Sequence, residues 1–209
     1  MKSTITSLLL SLTLITLGLG QSMDNGHNDG GERLVFDTKS SKIEWLATKV
    51  TGEHYGFVGL KEGWVHIQDN KIHSGQLVLD LNNIIVTDIE SPEWNQKLVD
   101  HLKSDDFFGV EKYPKAVFDL VRAESVKKTK DGDPNMLLHG KMTIKGISND
   151  ITIPANIHWH GKSGHATGEV KLDRTLWNIR YGSGKFFENL GDKMIHDHFI
   201  IKFNVTAKA

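Results

Sequence analysis

The chain has 209 residues, no cysteine and a formal net charge of −1, with 25 Lys and Arg against 26 Asp and Glu. Without thiols it can form no disulfide, thiol nucleophile or cysteine metal site, so its stability must come from a hydrophobic core. Its net charge is close to zero, so it lacks the excess of positive charge that nucleic-acid binding requires, and we predict no nucleic-acid partner.

The first 20 residues have the layout of a secretory signal peptide. Lys2 supplies a positive charge, residues 7–17 are dominated by Leu and Ile, and Gly18 and Gly20 suit a cleavage site after residue 20. An apolar run of about 10–12 residues is shorter than the roughly 20 that a spanning helix needs. We therefore predict an exported bacterial protein, periplasmic or secreted, with no integral membrane span. The alternative is an uncleaved anchor.

Residues 21–32 (QSMDNGHNDGGE) are polar and rich in Gly, Asp and Asn. With almost nothing apolar to bury, this composition predicts a flexible leader. No second linker of this kind follows, and residues 33–209 are predicted to form one domain.

Alternation of apolar and polar residues dominates that domain and predicts antiparallel strands with one buried face. Turn-forming residues separate the strands at 68–71, 130–135, 145–149 and 161–164. About eight such strands close into a barrel whose interior holds packed side chains or one ligand. The predicted fold is mainly β, an eight-stranded antiparallel barrel with one inserted helix. The clearest alternating segments are 43–47, 77–81, 118–120, 151–159, 166–172 and 199–205.

One segment has helical spacing instead. Ser91 is a suitable N-cap, Pro92 suits the first helical position, and Trp94 and Leu98 are four residues apart on one face. We predict a helix over about 92–103, packed across an end or flank of the barrel, with Trp94 and Leu98 as its core contacts.

Two His-x-His pairs, His158 with His160 and His196 with His198, are the metal candidates, because residues two apart on a strand share a face. Both pairs fall on polar outward faces or at a strand entry, without a clear third ligand, and a catalytic zinc site needs three protein ligands. Solvated strand faces are the favoured interpretation. We predict no metal and no cofactor.

The cluster of Asp100, His101, Asp105 and Asp106 follows the predicted helix. Acid–base catalysis would need a cleft and a substrate within reach of a base, and the sequence indicates neither. Capping of the helix explains the cluster more simply. We predict no catalytic residue and no enzymatic activity.

The Gly-rich segment 182–185 has Phe186 where a phosphate loop requires Ser or Thr. The favoured interpretation is a connection that turns the chain between two strands. The alternative places Arg180 and Lys185 at the barrel mouth, against the polar or phosphorylated head of a ligand.

Three segments, in this order and spacing, resemble the YceI-like family over about residues 34–207. They are DHLKSDDFF at 100–108 followed by Tyr113-Pro114 and Phe118, GKMTIKGIS at 140–148 and, more loosely, LDRTLWNI at 172–179. The resemblance implies an extended, lipocalin-like barrel with a helix inserted on one side, no catalytic residues, and a polyisoprenoid lipid such as a quinone or polyprenyl phosphate in the interior. The chain departs from the family at Ser41–Trp45, where many members have a His, and at Trp177-Asn178, where an aromatic-Gly pair is usual.

The resemblance favours a hollow interior that holds a long apolar lipid for carriage, storage or stress protection, with Gly140 and Gly168 leaving room inside. The alternatives are a solid-core interaction module and an enzyme acting on a small apolar substrate. The sequence is compatible with a monomer or a homodimer. The predicted ligand-binding residues are Trp45, Phe57, Leu79, Phe118, Met142, Ile153, Ile157, Phe199, Ile201 and Phe203, with Arg180 and Lys185 at the mouth.

Overall fold

The computed structural model describes residues 31–128 and 130–209. The predicted signal peptide and nearly all of the predicted leader lie outside these residues, and the first strand begins at Glu32. Within the described part of the chain, no helix is long and apolar enough to span a membrane.

The strands form one antiparallel ring. From the second strand onward each strand pairs with the next in sequence, and the last strand closes the ring by pairing with the first two. β1 (Glu32–Phe36) and β2 (Lys42–Lys49) both lie between β3 (Gly52–Gln68) and β9 (Ile195–Lys208), so they share one position in the ring, interrupted by residues 37–41. The predicted eight-stranded antiparallel barrel is confirmed. The strands are β1 (Glu32–Phe36), β2 (Lys42–Lys49), β3 (Gly52–Gln68), β4 (Lys71–Val86), β5 (Lys115–Ser125), β6 (Met136–Ile144), β7 (Ile147–His160), β8 (Ser163–Asp173) and β9 (Ile195–Lys208).

Tight turns fix the register of the long hairpins. Asp69 and Asn70 both have positive φ, at 50° and 58°, as do Lys145 and Gly146, at 52° and 74°. Positive φ at both central residues matches the right-handed twist of the flanking strands. The second turn is shorter than the predicted 145–149 because β7 already begins at Ile147.

The chain direction gives the barrel two distinct ends. The helix end carries α1 (Pro92–Lys103) and the connection from β8 to β9, which contains short 3-10 helices at Arg174–Trp177 and Gly191–Lys193. The turn end carries the β3–β4 and β7–β8 turns and the described residues between β5 and β6, 126–128 and 130–135.

The helix occupies the predicted residues, but its buried face differs from the prediction. Ser91 is at the N-cap without a side-chain capping bond, Val99 is the buried residue, and Leu98 is partly buried. Trp94 is 57% exposed, with the Lys97 ammonium 4.6 Å from its ring centroid, so its prediction as a core contact is wrong. At 100° per residue, Trp94 lies about 140° around the helix from Val99 and faces solvent.

A hollow barrel interior as the candidate binding site

A cavity of about 220 Å³ lies inside the barrel, and every strand contributes inward-facing apolar side chains or backbone to its wall, β1 through Phe36 alone. Leu102 and Phe107 line it at the helix end, and Trp159 and Gly164 line it at the turn end. The cavity therefore runs most of the length of the barrel. Below, we call it the lumen.

The inward face of β9 shows that the barrel is not packed solid. Phe199, Ile201 and Phe203 are only partly buried, although β9 is paired with β2 on one side and β8 on the other. A side chain in the middle of a closed barrel keeps exposed surface when it faces a void, because close packing would otherwise cover it. These side chains border open space.

Two inward glycines make room for aromatic rings rather than for a ligand. A Cβ at Gly140 would lie 2.7 Å from the Phe118 ring, and one at Gly168 would lie 2.8 Å from Cε1 of Phe203. The space that these glycines were predicted to leave open is therefore occupied by side chains of neighbouring strands. The rings rest against the wall, and the centre of the lumen stays open.

Most of the predicted apolar site residues come together in the lining, but Phe57 does not. It is paired with Glu44 on β2, and paired residues point to the same face, so Phe57 lies on the outer face of β3. Its neighbour Val58 lines the lumen in its place. The predicted residues that do line the lumen are Trp45, Leu79, Phe118, Met142, Ile153, Ile157, Phe199, Ile201 and Phe203.

Arg180 and Lys185 lie at the helix end, outside the lumen lining. The Lys185 ammonium is 2.6 Å from Oδ2 of Asp173 and 3.6 Å from Oδ2 of Asp197. The Arg180 guanidinium carbon is 4.6 Å from the ring centroid of Phe186. Both cations are held by protein groups on the exterior, so the structure does not place them against a ligand inside the barrel.

Arg174 is the feature of this end that the sequence did not indicate. It is 5% exposed and lines the lumen. Its Nε–H donates to the carbonyl oxygen of His196 at 3.1 Å, and Nη1 donates to those of Ile179 and Tyr181 at 3.0 and 2.8 Å. Nη2 donates to the Ile195 carbonyl at 3.0 Å.

An ion pair completes the surroundings of this buried cation, since Nη2 lies 3.5 Å from Oδ1 of Asp197. Burial lowers the pKa of Arg174, whereas Asp197 and Asp173 oppose that shift. An arginine is rarely this buried unless it is paired. Two of its four carbonyl partners lie in the β8–β9 connection and two at the start of β9, so Arg174 joins these segments and stabilises the helix end.

The carboxylate of Asp173 is expected to contribute stability that is lost in acid. Burial raises its pKa, but hydrogen bonds from Lys185 and Thr175 outweigh this and lower the pKa from 3.8 to about 2. A depressed carboxyl pKa adds stability above the unfolded-state value, and that stability disappears as the pH falls through the folded-state value. The relevant window is therefore about pH 4 to pH 2.

We expect Asp173→Asn to reduce the loss of unfolding free energy across this window, as measured by urea denaturation at stepped pH. Asp150→Asn is the control, because Asp150 is an exposed strand residue paired only with Lys141 at 2.8 Å. Equal pH dependence in the wild type and Asp173→Asn would contradict the assignment.

The cluster of Asp100, His101, Asp105 and Asp106 lies outside the lumen, whereas His196 of the second His-x-His pair lines it. His101 is 3.2 Å from Asp106 and packs edge-on against Phe107 and Tyr181. The helix is capped by Ser104, whose N–H donates to the backbone carbonyls of Asp100 and His101, so the predicted capping role of the cluster's side chains stays a prediction. Across residues 31–128 and 130–209, no three His, Asp or Glu side chains are placed to hold a metal ion together.

Comparison with known proteins identifies a family by sequence. The model of the YceI-like domain matches residues 34–207. Protein YceI of Escherichia coli O157:H7 and protein YceI of Shigella flexneri are each 33% identical over 90 residues, which is 40% of this chain and 44% of the relative. The match thus covers less than half of the length of these curated relatives.

Solved structures show the same fold. BcnA of Burkholderia cenocepacia has a TM-score of 0.64 at 21% identity, covering 83% of this chain and 99% of that chain. A polyisoprenoid binding domain from Saccharophagus degradans has a TM-score of 0.57 at 13% identity, covering 84% of this chain and 98% of that chain. At these identities the comparison supports the architecture alone.

Proposed function

The chain belongs to the YceI-like family, and on that premise we propose that it holds a long apolar lipid of the isoprenoid class in the lumen of its barrel. The single observation that carries the proposal is the continuous apolar lumen between Phe107 and Trp159. A structurally similar domain from Saccharophagus degradans is described as polyisoprenoid binding, which supports the same ligand class.

The energetics favour a long chain over a short one. Each five-carbon isoprene unit moved out of water contributes roughly 4 kcal/mol, at about 0.8 kcal/mol per methylene-sized group. Association itself costs about 4–15 kcal/mol in lost translational and rotational freedom. About one to four units must therefore enter the lumen to offset this cost, and each further unit adds affinity, which suits the tail of a quinone or a polyprenyl phosphate.

The lining offers no set of polar groups that could perform chemistry on a substrate. Besides Arg174, its polar residues are Gln76, whose amide donates to Asp119 at 2.7 Å, and His196, which is 2.7 Å from the Thr48 hydroxyl. General acid–base catalysis needs groups that converge on one reacting atom. Binding and carriage fit this interior, and catalysis on a small apolar substrate does not.

We place this binding activity outside the cytoplasm. The support is the composition of residues 1–20, which matches a secretory signal peptide. An exported protein with an apolar lumen would shield a prenyl tail from water as a carrier or as a reservoir.

Protein purified without detergent is expected to yield a prenyl lipid on organic extraction, as detected by mass spectrometry. The control is a protein of similar size, purified in parallel from the same cells, because it reports lipid carried over non-specifically. Clean extracts from several expression hosts, together with no uptake of added geranylgeraniol, would contradict the proposed function.

We expect Phe118→Asp to lower lipid occupancy per folded molecule by at least about tenfold, because an unpaired carboxylate in an apolar lumen disfavours an apolar chain. Phe118 is buried and lines the lumen. Occupancy is measured by extraction and normalised to folded protein by circular dichroism. Unchanged occupancy would mean that this face does not contact the ligand.

A further inference from the structure

Trp159 combines two properties at the turn end. It lines the lumen, and it is 40% exposed. The other large apolar side chains that the described residues expose, such as Trp94, Tyr181 and Phe187, do not line the lumen. Trp159 is therefore the apolar group through which the lumen meets solvent.

The ring of Trp159 rests on a glycine of the neighbouring strand. Trp159 and Gly164 are paired between β7 and β8, and a Cβ at Gly164 would lie 2.9 Å from Cε3 and 3.0 Å from Cη2 of the ring. These near contacts involve the Trp159 ring alone, whereas at Gly140 and Gly168 a backbone carbonyl also blocks the space. The three atoms nearest to a Cβ at Gly164 therefore all belong to a side chain that can move.

Contact alone holds this ring in place. The indole N–H of Trp45 donates to the carbonyls of Phe57 and Ile85 at 3.2 Å, and that of Trp177 donates to the Met142 carbonyl at 3.0 Å. The indole N–H of Trp159 has no such partner within the part of the chain that the structure covers. Moving it breaks no hydrogen bond.

The wall beside Trp159 is incomplete. β7 pairs with β6 only as far as Ala155, opposite Met136. Asn135 extends this edge with two side-chain bonds to the backbone of Ile157, at 2.8 and 2.9 Å. Beyond Ile157 the β7 strand is paired only with β8, so no sheet hydrogen bonds join it to β6 at the level of Trp159.

The helix end is closed far more firmly. Opening it would break the hydrogen bonds of Arg174 to four carbonyls, and Trp177 is fully buried in the same core. Leaving such buried polar groups without partners costs about 1–3 kcal/mol each. The two ends therefore differ in what must be broken to admit a chain.

From this difference we propose that the lipid enters and leaves the lumen at the turn end. Trp159 is the gating residue, and the route opens when its ring moves away from Gly164. This inference rests on the proposed function, since it names the route by which the same lumen fills. Trp159 controls the passage of the chain, and the lumen residues deeper in the barrel supply most of the contact with it.

The test is a stopped-flow measurement of uptake and release of dansyl-labelled geranylgeraniol by delipidated full-length protein. We expect Trp159→Ala to speed both uptake and release by about tenfold, because removing the gating ring lowers the barrier in both directions. Trp159 also lines the lumen, and loss of a lining contact alone would speed release without speeding uptake, so the faster uptake is the diagnostic result. Gly164→Ala should also speed both rates, because its added methyl group takes the space in which the Trp159 ring lies.

Trp94→Ala is the matched control, because it removes an exposed tryptophan at the helix end that does not line the lumen. We expect both of its rates to equal those of the wild type. Unchanged rates in Trp159→Ala and Gly164→Ala, with binding retained and unfolding midpoints intact, would overturn the proposed gating role of Trp159. Failure of every protein to take up the probe, wild type included, would overturn both the proposed function and the gating role of Trp159.

Discussion

Arg174→Met is expected to lower the free energy of unfolding by about 3–5 kcal/mol, the range for breaking a buried ion pair by removing one partner. The guanidinium donates to four backbone carbonyls, and the variant removes all four of these bonds. It also leaves the partly buried carboxylate of Asp197 without its nearest cation. Methionine restores the bulk of the side chain but none of these contacts.

The measurement is urea denaturation at neutral pH, with Arg180→Met as the matched control. Arg180 is exposed and its guanidinium contacts an aromatic ring, so its loss should cost less than about 0.5 kcal/mol. Arg174→Lys should also be strongly destabilised, because an ammonium cannot reproduce the planar fork of donors. Equal stability of Arg174→Met and Arg180→Met would refute the stabilising role of Arg174 at the helix end.

Ala166→Phe is expected to weaken lipid binding by at least about tenfold, because the added ring fills the lumen that an isoprenoid tail would occupy. Ala166 lines the lumen on β8, between Ile157 on β7 and Val205 on β9. Its methyl group is only partly buried, so the larger side chain has space to enter. The loss should appear as lower occupancy of correctly folded protein.

Thr167→Phe separates this effect from a general disturbance of β8. Thr167 is the next residue on the strand and points to the outer face. Overpacking costs about 1–3 kcal/mol of stability when a core resists the added atoms, so unfolding is measured for both variants. Similar stability with lost binding only in Ala166→Phe is the expected result, and equal binding by the two variants would argue against an occupied lumen.

The parts of the fold that the sequence predicts well are those with unbroken periodicity. In β9, Phe199, Ile201 and Phe203 alternate with polar residues, and the structure points all three inward. The helix boundaries follow from Pro92 and the helical spacing after it. Alternation gives no guide at Phe57 and Val58 in β3, because both residues are apolar. The structure places Val58 in the lumen lining and Phe57 on the outer face.

Features that depend on contacts between distant segments could not be predicted. Arg174 is buried because carbonyls of residues 195 and 196 reach it across the β8–β9 connection, and backbone acceptors leave no mark in a sequence. The packing of Phe118 against Gly140 and of Phe203 against Gly168 likewise depends on the register between strands. Hydrophobic patterns show which face is apolar, but the register decides whether the interior closes.

The most direct test of the hollow barrel is a crystal structure of the protein purified without detergent. The account predicts elongated density, unexplained by protein atoms, running along the lumen past Phe199 and Phe203 towards Trp159. A barrel in which the side chains of Phe199, Ile201 and Phe203 meet the opposite wall and leave no continuous space would contradict it.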